Sequence, residues 1–240
     1  MRSALFEPAN AEITTGERWI KQNSKMVKVT LGPDVLAVKG AMVAYQGQVT
    51  FTHQGAGSVG KMIRRALTSE DTPLMRAAGA GEVFFARLAQ DIFFVQLEGD
   101  GLSINGANLL AFDAELSWDV HRVQGAGFLA GGAFNTLLTG QGTVAITSDG
   151  PPMILDCSQQ PTFVDIQAAV AWSANLTPRV VSSMNMKSLL HGGSGEAFQF
   201  AFQGPGFVVV QPSEGMPVGG TGGGRQQSGG VGGIVGDLFK

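Results

Sequence analysis

Glycine in this chain works as paired punctuation. Seven Gly-x-Gly triplets, at 55–57, 79–81, 99–101, 125–127, 140–142, 193–195 and 204–206, fall within the first 212 residues, and several run straight into β-branched or aromatic segments. Glycine tolerates the positive φ that tight connections between strands demand. The pattern therefore specifies short strands and sharp turns rather than a reactive centre. At 240 residues the chain suffices for one generous all-β domain or two small ones. A chain of that size buries roughly 70–75% of its unfolded surface, so it needs no metal or disulfide staple. Only 15% of its residues are charged, against 44% hydrophobic, where a soluble domain usually carries roughly 25% charged residues. Such a composition predicts that some apolar surface is covered by another subunit.

Short apolar or alternating runs bounded by Gly, Pro, Asp or Gln read as strands: 26–31, VLAV from 35, two runs around Gly47 within 40–55, and then 82–88, 92–97, 143–147, 153–156, 162–172, 197–202 and 207–211. Their spacing leaves no room for regular crossover helices, which argues for antiparallel sheets. One stretch departs from the pattern. Val59, Met62, Ile63, Ala66 and Leu67 form a helical stripe, so a short amphipathic helix is predicted near 58–68, with Ser58 as its N-cap and Lys61, Arg64 and Arg65 on the opposite face. A second helix or turn is indicated over 183–190.

Four segments share a glycine entry into a β run: GAGEVFFARL (79–88), GQGTVAIT (140–147), GSGEAFQFAF (193–202) and GPGFVVVQ (204–211). Their irregular intervals argue against a fixed-period solenoid and leave a duplicated β unit open. Residues 1–212 thus read as the β-scaffold domain. From 213 onward eleven glycines dominate, and 213–240 reads as a flexible tail. Its apolar tip, Ile234, Val235, Leu238 and Phe239, either adds to a groove or sheet edge or is a frayed end.

Catalytic chemistry finds little purchase. His53, His121 and His191 lie far apart in the chain, with no His-x-His pair to converge on a metal. Cys157 follows Asp156, a neighbour that raises a thiol's pKa rather than lowering it. The segment GAGSVGK (55–61) resembles a phosphate loop only superficially, because Met62 stands where a hydroxyl residue would hold magnesium. Asp149, Asp156 and Asp165 sit at turns, where Asp caps the backbone. Trp19, Trp118 and Trp172 read as core or interface anchors. The adjacent pairs Phe84-Phe85 and Phe93-Phe94 put rings on both faces of their strands. A net charge of −3 builds no broad positive field for nonspecific nucleic-acid binding.

Five blocks in order carry a resemblance. GAMVAYQGQVTF (40–51) and GAGSVGKMIRRALTSEDTPLMRAAGAGEVFFARLAQDIFFVQL (55–97) resemble the family named for altered inheritance of mitochondria, member twenty-four. GFLAGGAFNTLLTGQGTVAIT (127–147), FVDIQAAVAW (163–172) and GEAFQFAFQGPGFVVVQ (195–211) are similar to its later blocks. The likeness covers roughly residues 10–212 and marks the chain as a prokaryotic relative. It implies a fold similar to the tryptophan RNA-binding attenuation protein: two packed antiparallel sheets in a double-stranded β-helix or sandwich. It also implies self-association, and it carries over no catalytic residue.

The expectation is therefore a non-catalytic, homo-oligomeric β-scaffold or protein-interaction module that binds an unknown protein partner and supports a membrane-associated complex. It needs no cofactor or metal, binds no nucleic acid and does not insert into a bilayer. With Cys157 as its one cysteine and no signal-like or transit-like N-terminus, it is expected in the cytoplasm. Two alternatives remain at this level. One is a nucleic-acid or anionic-lipid binder using Lys61, Arg64 and Arg65; the other is an enzyme with a metal or small-molecule pocket.

Overall fold

The computed structural model describes residues 1–54, 74–122, 134–182 and 198–213. Among these, helical structure is confined to two 3-10 turns, Ala4–Phe6 and Pro8–Asn10. The strands are β1 (Trp19–Asn23), β2 (Met26–Thr30), β3 (Val35–Val38), β4 (Met42–Gln54), β5 (Leu74–Phe85), β6 (Asp91–Asn105), β7 (Leu109–Asp113), β8 (Ser117–Arg122), β9 (Phe134–Ser148), β10 (Met153–Asp156), β11 (Thr162–Asp165), β12 (Ala169–Ser173), β13 (Arg179–Ser182), β14 (Phe198–Phe202) and β15 (Phe207–Val210). They form one large antiparallel sheet, ordered β1-β2-β5-β3-β7-β9-β6-β12-β15-β10 with β4 on β5 and β8 on β9, and a small sheet, β11-β14-β13. The all-β expectation holds. The helix near 58–68, the turn at 183–190 and the tail beyond Ser213 lie outside the described residues.

Several strands fall where their sequence places them, and the exceptions are instructive. The run 40–55 is one strand, β4, that passes through Gly47 at φ +89° instead of turning there. The run 162–172 is two strands, β11 and β12. The Asp165 carboxylate accepts from the Gln167 N–H (2.7 Å), and the Ala168 N–H closes the turn onto the Asp165 carbonyl (3.1 Å). β7, an uninterrupted LLAFD, has no alternation to announce it because it is buried on both faces.

Strand register exposes a threefold internal repeat. In β4·β5, Met42 faces Phe85, Ala44 faces Phe84 and Tyr45 faces Val83, with a bulge after Met42. In β7·β9, Leu109 faces Ile146, Ala111 faces Ala145 and Phe112 faces Val144, with the same bulge. In β12·β15, Ala169 faces Val210, Ala171 faces Val209 and Trp172 faces Val208, again with that bulge. The glycine kinks agree: φ is +119° and +157° at Gly79 and Gly81, +119° and +156° at Gly140 and Gly142, and +128° and +148° at Gly204 and Gly206.

The repeats are β2–β5, β6–β9 and β10–β15. β6 corresponds to β2 plus β3, and to β10 plus β11. The glycine entry that completes the series is 204–206, not the similar-looking 193–195, which lies outside the described residues. Connections of unequal length (55–73, 123–133 and 183–197) hide the period in the sequence.

Each kink lets one strand serve two neighbours. Residues 74–77 of β5 pair with β3, and residues 82–85 pair with β2. Successive repeats are then joined edge to edge. In β3·β7, Val35, Leu36 and Ala37 face Asp113, Phe112 and Ala111. In β6·β12, Leu102, Ser103 and Ile104 face Ser173, Trp172 and Ala171. Both joints end on the same hydrogen bond, Ala114 N–H to the Asp34 carbonyl and Ala174 N–H to that of Gly101, each 3.1 Å.

One apolar cluster runs through the first two repeats and takes in Val170, Ala171 and Val209 of the third. A second fills the third repeat around Trp172, Phe200 and Phe202, whose rings meet edge to face at 5.4–6.1 Å. Trp19 and Trp172 are core anchors as expected, and Trp118 packs against the first cluster. Phe84 and Phe85 are both buried, whereas Phe94 stays partly exposed beside Trp19.

At Gly79 a Cβ would lie 2.2 Å from the Gln48 carbonyl oxygen, whereas at Gly99, with φ +103°, it would meet open space. Gly79→Ala is expected to cost about 3 kcal/mol or more, and Gly99→Ala about 1–2 kcal/mol from backbone strain alone. Urea unfolding of the two variants beside the parent chain measures the difference.

Candidate functional site

Several interior polar side chains tie repeats together, whereas Ser103, Asn135 and Thr136 are buried without a side-chain hydrogen-bond partner among the described residues. Asp113, at the end of β7, accepts from Arg18 and from the Trp19 indole N–H (3.0 Å), while its other oxygen accepts from the Thr143 backbone N–H (2.8 Å). One carboxylate thus holds the segment around β1 against the second repeat. Between repeats two and three, the Asn108 amide donates to the Thr147 carbonyl (2.9 Å) and to Gln211 (3.0 Å). Gln211 in turn donates to the Gln167 carbonyl (3.1 Å). Each of these groups finds partners within the fold.

Lys28 is the most deeply buried cation among the described residues. Its Nζ donates to Glu12 (2.7 Å) and Glu82 (3.1 Å). Burial alone would depress the ammonium's pKa, but the two carboxylates outweigh it and hold Lys28 above its usual value. Hydrogen bonds from Lys28 and then Gln46 hold Glu12 below the usual carboxylate range. Here the N-terminal segment is fastened over β2 and β4.

The groups with reactive potential are similarly occupied. Burial, reinforced by Asp156, pushes the Cys157 thiol up and away from thiolate. A shallow cavity of about 450 Å³ lies between the end of β3, the start of β4 and the turn after β5, with Val38, Val43, Arg87 and Leu88 on its walls. Burial lowers the Arg87 pKa, and its guanidinium donates to the Gly106 and Leu109 carbonyls (3.3 and 3.1 Å), a bracing role. His53 lies on β4 and His121 on β8. No group of three or more His, Cys, Asp or Glu gathers among the described residues.

What the surface does offer is apolar strand edge. Leu110, Phe112, Val170 and Trp172 are buried, yet their counterparts Val43 and Tyr45 on β4 are 51% and 50% exposed. Leu36 and Ser103 are likewise buried, while their counterpart Phe163 on β11 is 57% exposed. Met153 and Ile154 on β10 add a further exposed pair. Sequence reasoning did not single out this surface. The signal was present as a thrice-written pattern, aliphatic-Ala-aromatic: Val43-Ala44-Tyr45, Leu110-Ala111-Phe112 and Val170-Ala171-Trp172. The residues the sequence did single out, Lys61, Arg64, Arg65, Ile234, Val235, Leu238 and Phe239, lie outside the described residues, as does His191.

The chain matches a family model, described as mitochondrial biogenesis AIM24, over residues 18–213. The chain belongs to the AIM24 family. Its fold is similar to the crystal structure of protein SPYM3_0169 from Streptococcus pyogenes, with a TM-score of 0.66 and 22% identity over 81% of this chain and 92% of that one. No curated protein matches it. Among the described residues of this AIM24 member, no helix is long and apolar enough to cross a membrane.

Two outcomes are expected from these contacts. Asp113→Ala, which strips partners from Arg18, Trp19 and Thr143, should cost about 2–4 kcal/mol in urea unfolding. The lowered pKa of Glu12 supplies stability that is present above the ordinary glutamate value and lost as pH falls through the lowered one. Urea midpoints taken from about pH 6 down to about pH 3 should therefore fall less steeply for Glu12→Gln than for the parent chain.

Proposed function

We propose that this AIM24 member is a non-catalytic, self-associating β-scaffold that holds other proteins in place, in support of a membrane-associated complex. The observation that carries this reading is where its large apolar side chains meet water. Five of the exposed ones, Val43, Tyr45, Met153, Ile154 and Phe163, lie on strands at the edges of sheets, Val43 also bordering the shallow cavity. An exposed apolar strand edge is a template for a further strand, and proteins that keep one monomeric blunt it with charge, proline or a cover. β4 instead presents Val43-Ala44-Tyr45-Gln46-Gly47-Gln48, an uncharged and exposed run. Asp113, Asn108 and Gln211, which brace one repeat against another, favour a scaffold over an enzyme. The family's description as one of mitochondrial biogenesis supports a role in assembly.

Sedimentation velocity of the full chain over a range of concentrations tests the reading. Assemblies larger than a monomer are expected at micromolar protein and should persist in moderate salt, because the contact is apolar and backbone-mediated. A single monomeric species across the whole range overturns it.

A further inference from the structure

The two joints between repeats define what is missing at the third. In each, a short strand of one repeat (β3, or the second half of β6) lays its free edge along the strand that begins the next repeat's hairpin (β7 or β12). β11 is the third copy of that short strand. It pairs with β14 as β3 pairs with β5 and β6 with β9: Thr162, Phe163 and Val164 face Phe202, Ala201 and Phe200, where Val35, Leu36 and Ala37 face Ala77, Arg76 and Met75. Its other edge meets no strand among the described residues. The first half of β4 is the remaining copy of the receiving strand, and among the described residues it pairs only with β5. The small sheet is separate because this joint is not made.

We infer that β11 of one chain pairs antiparallel with β4 of a second copy, making between molecules the joint already made twice within each. This rests on the self-associating scaffold reading and assigns its interface. Carrying the two internal registers across sets the pairing: Thr162 opposite Gln46, Phe163 opposite Tyr45 and Val164 opposite Ala44. The contact joins the sheet β1-β2-β5-β4 of one molecule to β11-β14-β13 of the next, giving a seven-stranded sheet.

The covered side chains fit. Val43, Tyr45 and Phe163 occupy positions whose counterparts are buried in both internal joints, and they are the exposed ones. Neither strand brings a charge to the three facing positions. The occupant is a second copy rather than the same chain because, among the described residues, β11 and β4 of one chain do not pair and Val43, Tyr45 and Phe163 all stay exposed within it. The interface uses two different surfaces, so assembly is head to tail, a geometry that closes into a ring or continues as a filament according to its rotation.

Cysteine pairing across the proposed register tests this directly, with buried Cys157 left in place. Tyr45→Cys and Phe163→Cys are made singly in the full chain, and both positions are exposed, so the fold is kept. Directly opposed residues of an antiparallel pair fall within disulfide reach. Under mild oxidation, a mixture of the two single variants should give a disulfide-linked dimer, whereas either alone gives none. The double variant should give a ladder of linked oligomers. In the parent chain, amide exchange over 43–47 and 162–165 should slow as protein concentration rises. Cross-linking of the double variant only within one chain overturns the inference, as does equal dimerisation of each single variant. Absence of any cross-link or concentration-dependent protection in a chain that still sediments as an oligomer overturns this interface while leaving the scaffold reading intact. A monomer at all concentrations removes both.

Discussion

A close backbone approach at two glycines is the constraint on which the architecture depends. At Gly79 and Gly81 the chain passes so near the carbonyls of Gln48 and Gln46 that no side chain fits between. In the other two repeats the equivalent kinks are crowded by Asp113 and Leu116 at Gly142, and by Ser173 and Leu176 at Gly206. A strand bent in this way can hand its first half to one set of partners and its second half to another. Repeats then share sheets instead of stacking as separate bodies. This is why twelve strands form one connected sheet while the apolar core remains in two clusters.

That arrangement also accounts for the interior chemistry. Where one repeat passes into the next, backbone pairing is short and side chains complete the hold. Asp113 gathers Arg18, Trp19 and Thr143, and Asn108 reaches across to Gln211. A polar group buried without a partner is costly, so these residues earn their position by being satisfied. Arg87 and Lys28 follow the same logic with backbone carbonyls and carboxylates. This chain therefore places bracing polar residues such as Asp113 and Asn108 at seams, and five exposed apolar residues, Val43, Tyr45, Met153, Ile154 and Phe163, on edge strands.

The β character of the chain was legible because glycine turns and short alternating or apolar runs such as 26–31 and 153–156 report local geometry directly. β7 was not, since a strand buried on both sides shows no period of two. The run 162–172 looked continuous because the Asp165 turn interrupts an otherwise apolar stretch without glycine or proline. The threefold repeat escaped for a related reason. Register is a property of pairs of strands, and no single segment carries it. GSGEAFQFAF at 193–202 looked like a member of the series, while the true correspondence ran through Ala44, Ala111 and Ala171, small residues placed just after a shared bulge. The edge surface on β4 could be recognised only once its two buried counterparts were known.

The unequal connections have a consequence of their own. All three connect matching pairs of strand ends, Gln54 with Leu74, Arg122 with Phe134, and Ser182 with Phe198. A homotrimer of one-repeat chains would be forced to repeat the same connecting sequence three times. Fusion of the repeats into one polypeptide frees each connecting sequence to diverge without disturbing the other two. One frame can therefore carry three distinct, separately evolvable sequences, in an order fixed by the chain itself.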